Sequence, residues 1–121
     1  MKKILIAQDI CRAIRRGDSF LERADVVVFT AATNDETLEI HRRERVQLII
    51  TDLDMPGMGS EQLCSLIRKD PELSSVLMLM ICPRSVAAIE KSLRCDVNGL
   101  LVRPVEPALL LARTEQLLDA A

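Results

Sequence analysis

Short apolar runs alternate with segments of helical periodicity along the whole chain of 121 residues. Five runs have the length and composition of strands buried on both faces, and they cover residues 4–7, 26–30, 48–51, 76–81 and 100–102. Because each run is followed by a helical segment, the chain reads as five βα units, which favour a parallel sheet with helices on both faces. The sequence therefore predicts an α/β fold: a doubly wound, five-stranded parallel sheet in the order 2-1-3-4-5, flanked by five helices, as a single domain over residues 1–121.

Capping residues and apolar spacing locate the helices. Thr33 or Asn34 can cap the second helix, Asp70-Pro71 stops the third, and Pro107 opens the fifth. The first helix is marked by Ile10, Ile14, Phe20, Leu21 and Ala24, and the fourth, over 85–95, by Val86, Ile89 and Leu93. In the fifth helix we expect the core to receive Leu110, Thr114 and Leu117, with Leu109 left partly exposed.

Charge and cysteine usage exclude several classes of function. The net charge of −2 argues against nucleic acid as a direct partner, and no apolar run approaches the about 20 residues that a membrane helix needs. The chain has four cysteines without any C-x-x-C pair and a single histidine, so we expect buried free thiols rather than a zinc site. We expect a cytoplasmic protein.

Acidic and basic residues follow three of the predicted strands. Asp9 follows the first, Asp52 and Asp54 follow the third, and Arg103 follows the fifth. The carboxyl ends of parallel strands share one edge, where ligands bind in such sheets. Carboxylate oxygens suit Mg²⁺, and a carboxylate can also act as a nucleophile toward phosphorus. Asp9 and Asp52 could instead cap helices, but their joint position favours a site.

Three segments resemble the signature regions of response-regulator receiver domains. They are K-I-L-I-A-Q-D at 3–9, L-I-I-T-D-L-D-M-P-G-M at 48–58 and N-G-L-L-V-R-P-V at 98–105. The resemblance implies a flavodoxin-like fold in which a histidine kinase or a phosphotransfer protein phosphorylates Asp52. It also implies that Mg²⁺ is bound by Asp9, Asp52 and the backbone carbonyl of Asp54, and that Arg103 contacts the phosphoryl group where the family has lysine.

The chain departs from this family at its acidic and switch positions. Gln8 replaces the first of two acids, which predicts weaker metal binding. The family's hydroxyl residue after the fourth strand corresponds to Met80, Ile81 or Cys82, depending on the alignment, and none of these carries a hydroxyl. Leu100 replaces the switch aromatic of the fifth strand.

Three functional hypotheses follow. The first is a phosphorylatable receiver whose chemistry is limited to accepting a phosphoryl group from a phosphodonor and hydrolysing it slowly. The second is a degenerate receiver that binds its partner independently of phosphorylation, which the missing switch residues favour. The third, a haloacid-dehalogenase-like phosphatase using Asp52 and Asp54, fails because Pro56 stands where that family has Thr or Val.

The resemblance also implies a face for a partner protein or an output domain, formed by the fourth helix, the fifth strand and the fifth helix. The expected contact residues on this face are Lys91, Leu100, Leu109 and Arg113. His41 could be read as a phosphotransfer residue, but its neighbours Arg42 and Arg43 favour a solvated face of the second helix.

Overall fold

The computed structural model describes residues 1–14 and 25–121, and strands and helices alternate along it. In chain order the elements are β1 (Lys2–Ala7), α1 (Gln8–Ile14), β2 (Val26–Ala31), α2 (Asn34–Glu44), β3 (Leu48–Asp52), α3 (Ser60–Lys69), β4 (Leu77–Cys82), α4 (Val86–Leu93), β5 (Gly99–Val102) and α5 (Pro107–Ala120). The strands form one parallel sheet in the order β2-β1-β3-β4-β5. The predicted fold class is confirmed.

The sheet is buried on both faces, as the continuous apolar strands predict. One face carries Ile49 and Met78 and packs against α2 and α3, while the other carries Ile50 and Leu79 and packs against α1 and α5. Alternate residues of each strand therefore supply two separate cores. Burying a single Ile or Leu side chain stabilises a protein by about 1.5–3 kcal/mol, so the central strands hold the carboxyl edge of the sheet firmly.

The helix boundaries agree with the predicted capping residues. Thr33 caps α2 by accepting a hydrogen bond from the backbone N–H of Glu36 at 3.1 Å. Pro107 is the first residue of α5, and Asp70 follows the last residue of α3. In α5, Leu110 and Thr114 are buried while Leu109 is 47% exposed, as expected. Leu117, also expected in the core, is half-buried against it, and its neighbour Leu118 is fully buried.

One prediction about a helix face was wrong. His41 is only 2% exposed, because it lies on the side of α2 that faces the core, where both ring nitrogens find backbone partners. The predicted fourth helix is present as α4, although two of its three apolar markers, Val86 and Leu93, are 75% and 69% exposed while Ile89 packs against the core.

Some predictions concern residues that the structure does not describe. The apolar positions Phe20, Leu21 and Ala24 of the first helix lie outside the described residues. Within 1–14 and 25–121, no helix combines the length and the hydropathy needed to cross a bilayer. All four cysteines are free and buried, as predicted.

Candidate functional site

A cavity of about 410 Å³ opens at the carboxyl edge of the sheet. It lies between the ends of β1 and β3 and the loop after β5. The polar residues that line it are those that the sequence singled out: Gln8, Asp9, Asp52, Asp54 and Arg103. The parallel strands thus bring together residues that are up to 95 positions apart in the chain (103 − 8).

Asp52 is the last residue of β3, and its carboxylate is well enclosed, with 15% of the side chain exposed. One oxygen, Oδ1, accepts a hydrogen bond from the backbone N–H of Asp54 at 2.9 Å. The other, Oδ2, forms an ion pair with Nη2 of Arg103. Both oxygens of this carboxylate therefore have partners within the chain.

Arg103 follows β5, and a backbone hydrogen bond fixes its position. Its N–H donates to the carbonyl of Cys82 at 2.9 Å, which ties the loop after β5 to the end of β4, and its peptide bond to Pro104 is cis. The hydrogen bond to Asp52 raises the pKa of the guanidinium, and the negative charges of Asp52 and Asp54 act in the same direction. Arg103 is therefore a permanent positive charge beside Asp52.

Asp9 has a different environment from Asp52. It lies in the first turn of α1, where its side chain is 96% exposed and its Oδ1 lies 3.6 Å from Nη1 of Arg12. Asp9 therefore borders the cavity but directs its charge toward solvent and α1. No group of three or more His, Cys, Asp or Glu side chains within residues 1–14 and 25–121 is already arranged to hold a metal ion.

The donor chemistry at this edge nevertheless fits Mg²⁺. Asp9, Asp52 and Asp54 all line one cavity, and each offers carboxylate or carbonyl oxygen, the donor type that this ion prefers. Gln8 contributes a neutral amide instead of a second acid from α1. The residues could therefore hold the ion, but only after the Asp9 side chain turns toward Asp52.

The loop after β3 is clamped to the start of α2, which the sequence analysis did not anticipate. The side chain of Asn34 donates to the carbonyl of Met58 at 2.8 Å, and the backbone N–H of Met58 donates to Oδ1 of Asp35 at the same distance. Between these contacts Gly57 adopts a φ of +93°, and a Cβ there would lie 2.9 Å from Oδ1 of Asp35. The glycine in M-P-G-M was the only signal in the sequence for this close approach.

The strand register determines which residue stands beside Asp52 on β4. Asp52 pairs with Ile81, so Ile81 occupies the position from which a hydroxyl could reach the carboxylate. Ile81 is 4% exposed and packs into the core on the α1 and α5 side, Cys82 is buried, and Leu100 pairs with Met80 and is half-buried. The described strand ends therefore bring no hydroxyl group next to Asp52 from β4.

The predicted partner face is apolar at several points. Lys91 and Arg113 are exposed, as is Leu109, while Leu100 is half-buried and packs against the core. Val86 and Leu93, seven positions apart on α4, add exposed apolar surface that the sequence analysis had counted only as markers of a helix.

Comparisons with known proteins agree on one family. The family model described as response regulator receiver domain matches residues 4–115. The chain is 28% identical over 117 residues to a probable transcriptional regulator, ycf27, of Cyanophora paradoxa, and 26% identical over 119 residues to the transcriptional regulatory protein ResD of Bacillus subtilis (strain 168). These matches cover 97% and 98% of this chain but 48% and 49% of the relatives, so the chain spans about half the length of the curated relatives it matches.

The structural comparison gives the same result. The chemotaxis response regulator CheY4 of Vibrio cholerae superimposes with a TM-score of 0.78 at 26% sequence identity, covering 98% of this chain and 99% of that one.

Proposed function

The chain belongs to the response regulator receiver domains of two-component signalling, and from that premise we propose that it accepts a phosphoryl group on Asp52 and so regulates a partner protein or an output domain. The observation that carries the proposal is the position of Asp52. It ends the central strand β3, is largely enclosed, and lines the cavity at the carboxyl edge beside a permanent cation.

The proposed step is an in-line transfer to a carboxylate oxygen of Asp52. A new P–O bond forms to the carboxylate while the bond between phosphorus and the leaving oxygen of the donor breaks, and with acetyl phosphate the leaving group is acetate. Negative charge on the phosphoryl oxygens must be offset during this transfer. Arg103 supplies a guanidinium at that point, with the planar fork that suits a phosphate group.

Receiver domains generally bind Mg²⁺ at their phosphorylation site, and we propose that Asp9, Asp52 and the backbone carbonyl of Asp54 would hold it here. When bound, the ion neutralises phosphoryl oxygens brought against the acceptor. The chain's own contribution is to orient the acceptor, because the Asp54 N–H fixes Oδ1 of Asp52 and the clamp of Asn34 on Met58 fixes the loop that carries Asp54.

The test is to incubate the protein with acetyl phosphate and MgCl₂ and to map the modified residue by mass spectrometry. We expect a single phosphoryl group on Asp52 and none in Asp52→Asn. Asp54→Asn is the matched control, since Asp54 is an exposed carboxylate two residues away on the same loop. Phosphate on Asp54, or labelling that persists in Asp52→Asn, would refute the assignment.

One observation favours a second function, that of a receiver that acts independently of phosphorylation. Ile81 pairs with Asp52 in the sheet and offers no hydroxyl to a phosphoryl group, so phosphorylation has less means of pulling the following loop inward. Absence of labelling at Asp52 under the conditions above, together with partner binding by the unmodified protein, would establish this alternative. Membership of the receiver family argues against the haloacid-dehalogenase-like phosphatase.

Receiver domains interact with histidine kinases and with output domains. We propose that in this chain α4, β5 and α5 form the output face, through Lys91, Leu100, Leu109 and Arg113, and that the protein works in the cytoplasm without direct contact to nucleic acid or membrane. The exposure of Leu109 supports this choice of face, since an exposed leucine beside charged residues is typical of a protein-contacting surface.

A further inference from the structure

Each oxygen of the acceptor carboxylate has one partner before any ion approaches it. Oδ2 of Asp52 is paired with the guanidinium of Arg103, and Oδ1 accepts from the Asp54 N–H. The neighbouring carboxylate, Asp9, is turned toward Arg12 and solvent. Asp52 and Asp9 therefore each lie beside an arginine of the same chain.

We propose that Arg103 is an internal counterion that competes with Mg²⁺ for Asp52, so that the metal binds this receiver weakly until the guanidinium is displaced. This inference deepens the proposed function, since it concerns the same carboxylate, but it makes its own claim about metal affinity. It differs from the expectation drawn from Gln8, because it locates the weakness in an added cation rather than in a missing acid.

The electrostatic argument starts from what normally drives metal binding at paired acids. Two carboxylates that face each other repel, and a divalent ion relieves the repulsion. Here Arg103 already pairs with Asp52, and Asp9 faces solvent near Arg12, so little of this repulsion is left for an ion to relieve. To bind at Oδ2, Mg²⁺ would have to displace the guanidinium and also lose part of its own hydration shell, which it does reluctantly.

The geometry of the guanidinium strengthens this competition. The backbone N–H of Arg103 donates to the Cys82 carbonyl, and this bond fixes the position from which the side chain reaches Asp52. Only 15% of the Asp52 side chain is exposed, against 44% of the Arg103 side chain, so water screens the Asp52 end of the ion pair less than the arginine end. Lysine at this position would present a compact ammonium without the planar fork.

The test is a titration of the ¹⁵N-labelled protein with MgCl₂, followed through amide chemical shifts around the cavity, with no phosphodonor present. Arg103→Gln should lower the Kd for Mg²⁺ about tenfold, which corresponds to about 1.4 kcal/mol. Arg103→Lys should lower it by a smaller factor. Arg84→Gln is the matched control, because Arg84 is an exposed arginine after β4 at the same edge of the sheet and its loss changes the net charge equally.

Several results would overturn the inference. A Kd in Arg103→Gln that is unchanged, weaker, or lowered no more than in Arg84→Gln would mean that the contact with Asp52 does not compete with the metal. Tightening in Gln8→Asp but not in Arg103→Gln would assign the weakness to the missing acid. Asp9→Ala should remove Mg²⁺ binding both in the wild-type protein and in Arg103→Gln. Unchanged binding in the Asp9→Ala variants would mean that the ion binds elsewhere. If Arg103→Gln fails to give a folded spectrum, Arg103→Lys decides the question in the same way.

This outcome is separable from that of the proposed function. Metal affinity is measured without a phosphodonor, and labelling of Asp52 is measured by mass spectrometry. Tighter Mg²⁺ binding in Arg103→Gln with no labelling of Asp52 would refute the proposed function and support Arg103 as a competing counterion. Labelling of Asp52 with no tighter Mg²⁺ binding would support the function and refute the counterion.

Discussion

His41 offers a sharp test of the packing, because the sequence predicted a solvated residue and the structure buries it. Its Nδ1 accepts a hydrogen bond from the backbone N–H of Val46, and its Nε2 lies 3.2 Å from the carbonyl of Leu73. Since the Val46 N–H can only donate, Nδ1 must be unprotonated, and Nε2 therefore carries the hydrogen that it donates to Leu73. The neutral ring thus joins the end of α2 to the segments before β3 and β4.

Replacing the ring removes both bonds at a buried position. In His41→Phe the volume is roughly kept, but the Val46 N–H and the Leu73 carbonyl lose their partner, at about 1–3 kcal/mol for each unsatisfied group. We expect the free energy of unfolding to fall by about 2–4 kcal/mol, after allowance for relaxation of the two backbone groups. His41→Asn is the matched variant, because its amide oxygen can still accept from Val46, and it should lose about half as much.

The same geometry predicts a pH dependence. Burial lowers the pKa of His41 below its ordinary value of 6.5, and the positive charges of Arg45 and Arg68 lower it further, against the opposing effects of the Leu73 hydrogen bond and Asp70. The unfolded chain therefore binds the proton more readily. The stability that the neutral ring contributes is complete above about pH 6.5 and is lost as the pH falls below that value. The total loss is about 1.4 kcal/mol for each unit by which folding lowers the pKa of His41.

Urea denaturation followed by far-UV circular dichroism, at intervals between pH 7.5 and pH 5, measures both effects. His41 is the single histidine of the chain, so no other side chain has an ordinary pKa within that interval. The wild-type protein should lose stability toward pH 5 while His41→Asn changes much less. The reasoning is refuted if His41→Phe is as stable as the wild type, or if the two stability curves run parallel.

Three further predictions concern other parts of the fold. Arg68→Met should lower the free energy of unfolding by about 2–3 kcal/mol in urea denaturation, because Arg68 donates partly buried hydrogen bonds to the carbonyls of Ser74 and Val76 at 2.7 and 2.6 Å; an unchanged value would show that water replaces these bonds. Gly57→Ala should cost about 1–2 kcal/mol in the same assay, since φ at this position is +93°, and a neutral result would mean that the loop changes conformation. Beryllofluoride, a mimic of the aspartyl phosphate, should shift the amide signals of α4, β5 and α5 only slightly in the wild type and more in Ile81→Thr. The new hydroxyl can donate a hydrogen bond to the bound anion, and a hydrogen bond to a charged group is worth about 1.5–3 kcal/mol. Large shifts in the wild type would mean that the signal reaches the output face by another route.

The candidate site was predicted from the sequence as a set of residues but not as an arrangement. That Gln8, Asp9, Asp52, Asp54 and Arg103 share one edge follows from chain order alone, because parallel strands end on the same side of the sheet. That Asp9 turns outward, and that Arg103 reaches Asp52, depends on rotamers and on distances between strands that are not adjacent in sequence. Local pattern carries no information about those distances.

The register of β4 against β3 could not be predicted from the sequence for the same reason. The alignment left Met80, Ile81 and Cys82 as alternatives, because a slip of one residue along β4 changes no local propensity. The pairing of Asp52 with Ile81 is decided only when β3 and β4 pack side by side, since a slip would move every apolar side chain of β4 to the opposite face.

The sequence by itself determined the order of elements, their caps and the parallel sheet, since hydrophobic periodicity and capping preferences act over a few residues. The tertiary structure alone decided which helix faces are covered. His41 has a polar ring and charged sequence neighbours, yet it is buried, because its two ring nitrogens form hydrogen bonds with backbone groups there. Val86 and Leu93 are apolar yet exposed, because no neighbouring element in the described part of the chain covers that side of α4. Burial is a property of the surroundings of a residue, and those surroundings are assembled from distant parts of the chain.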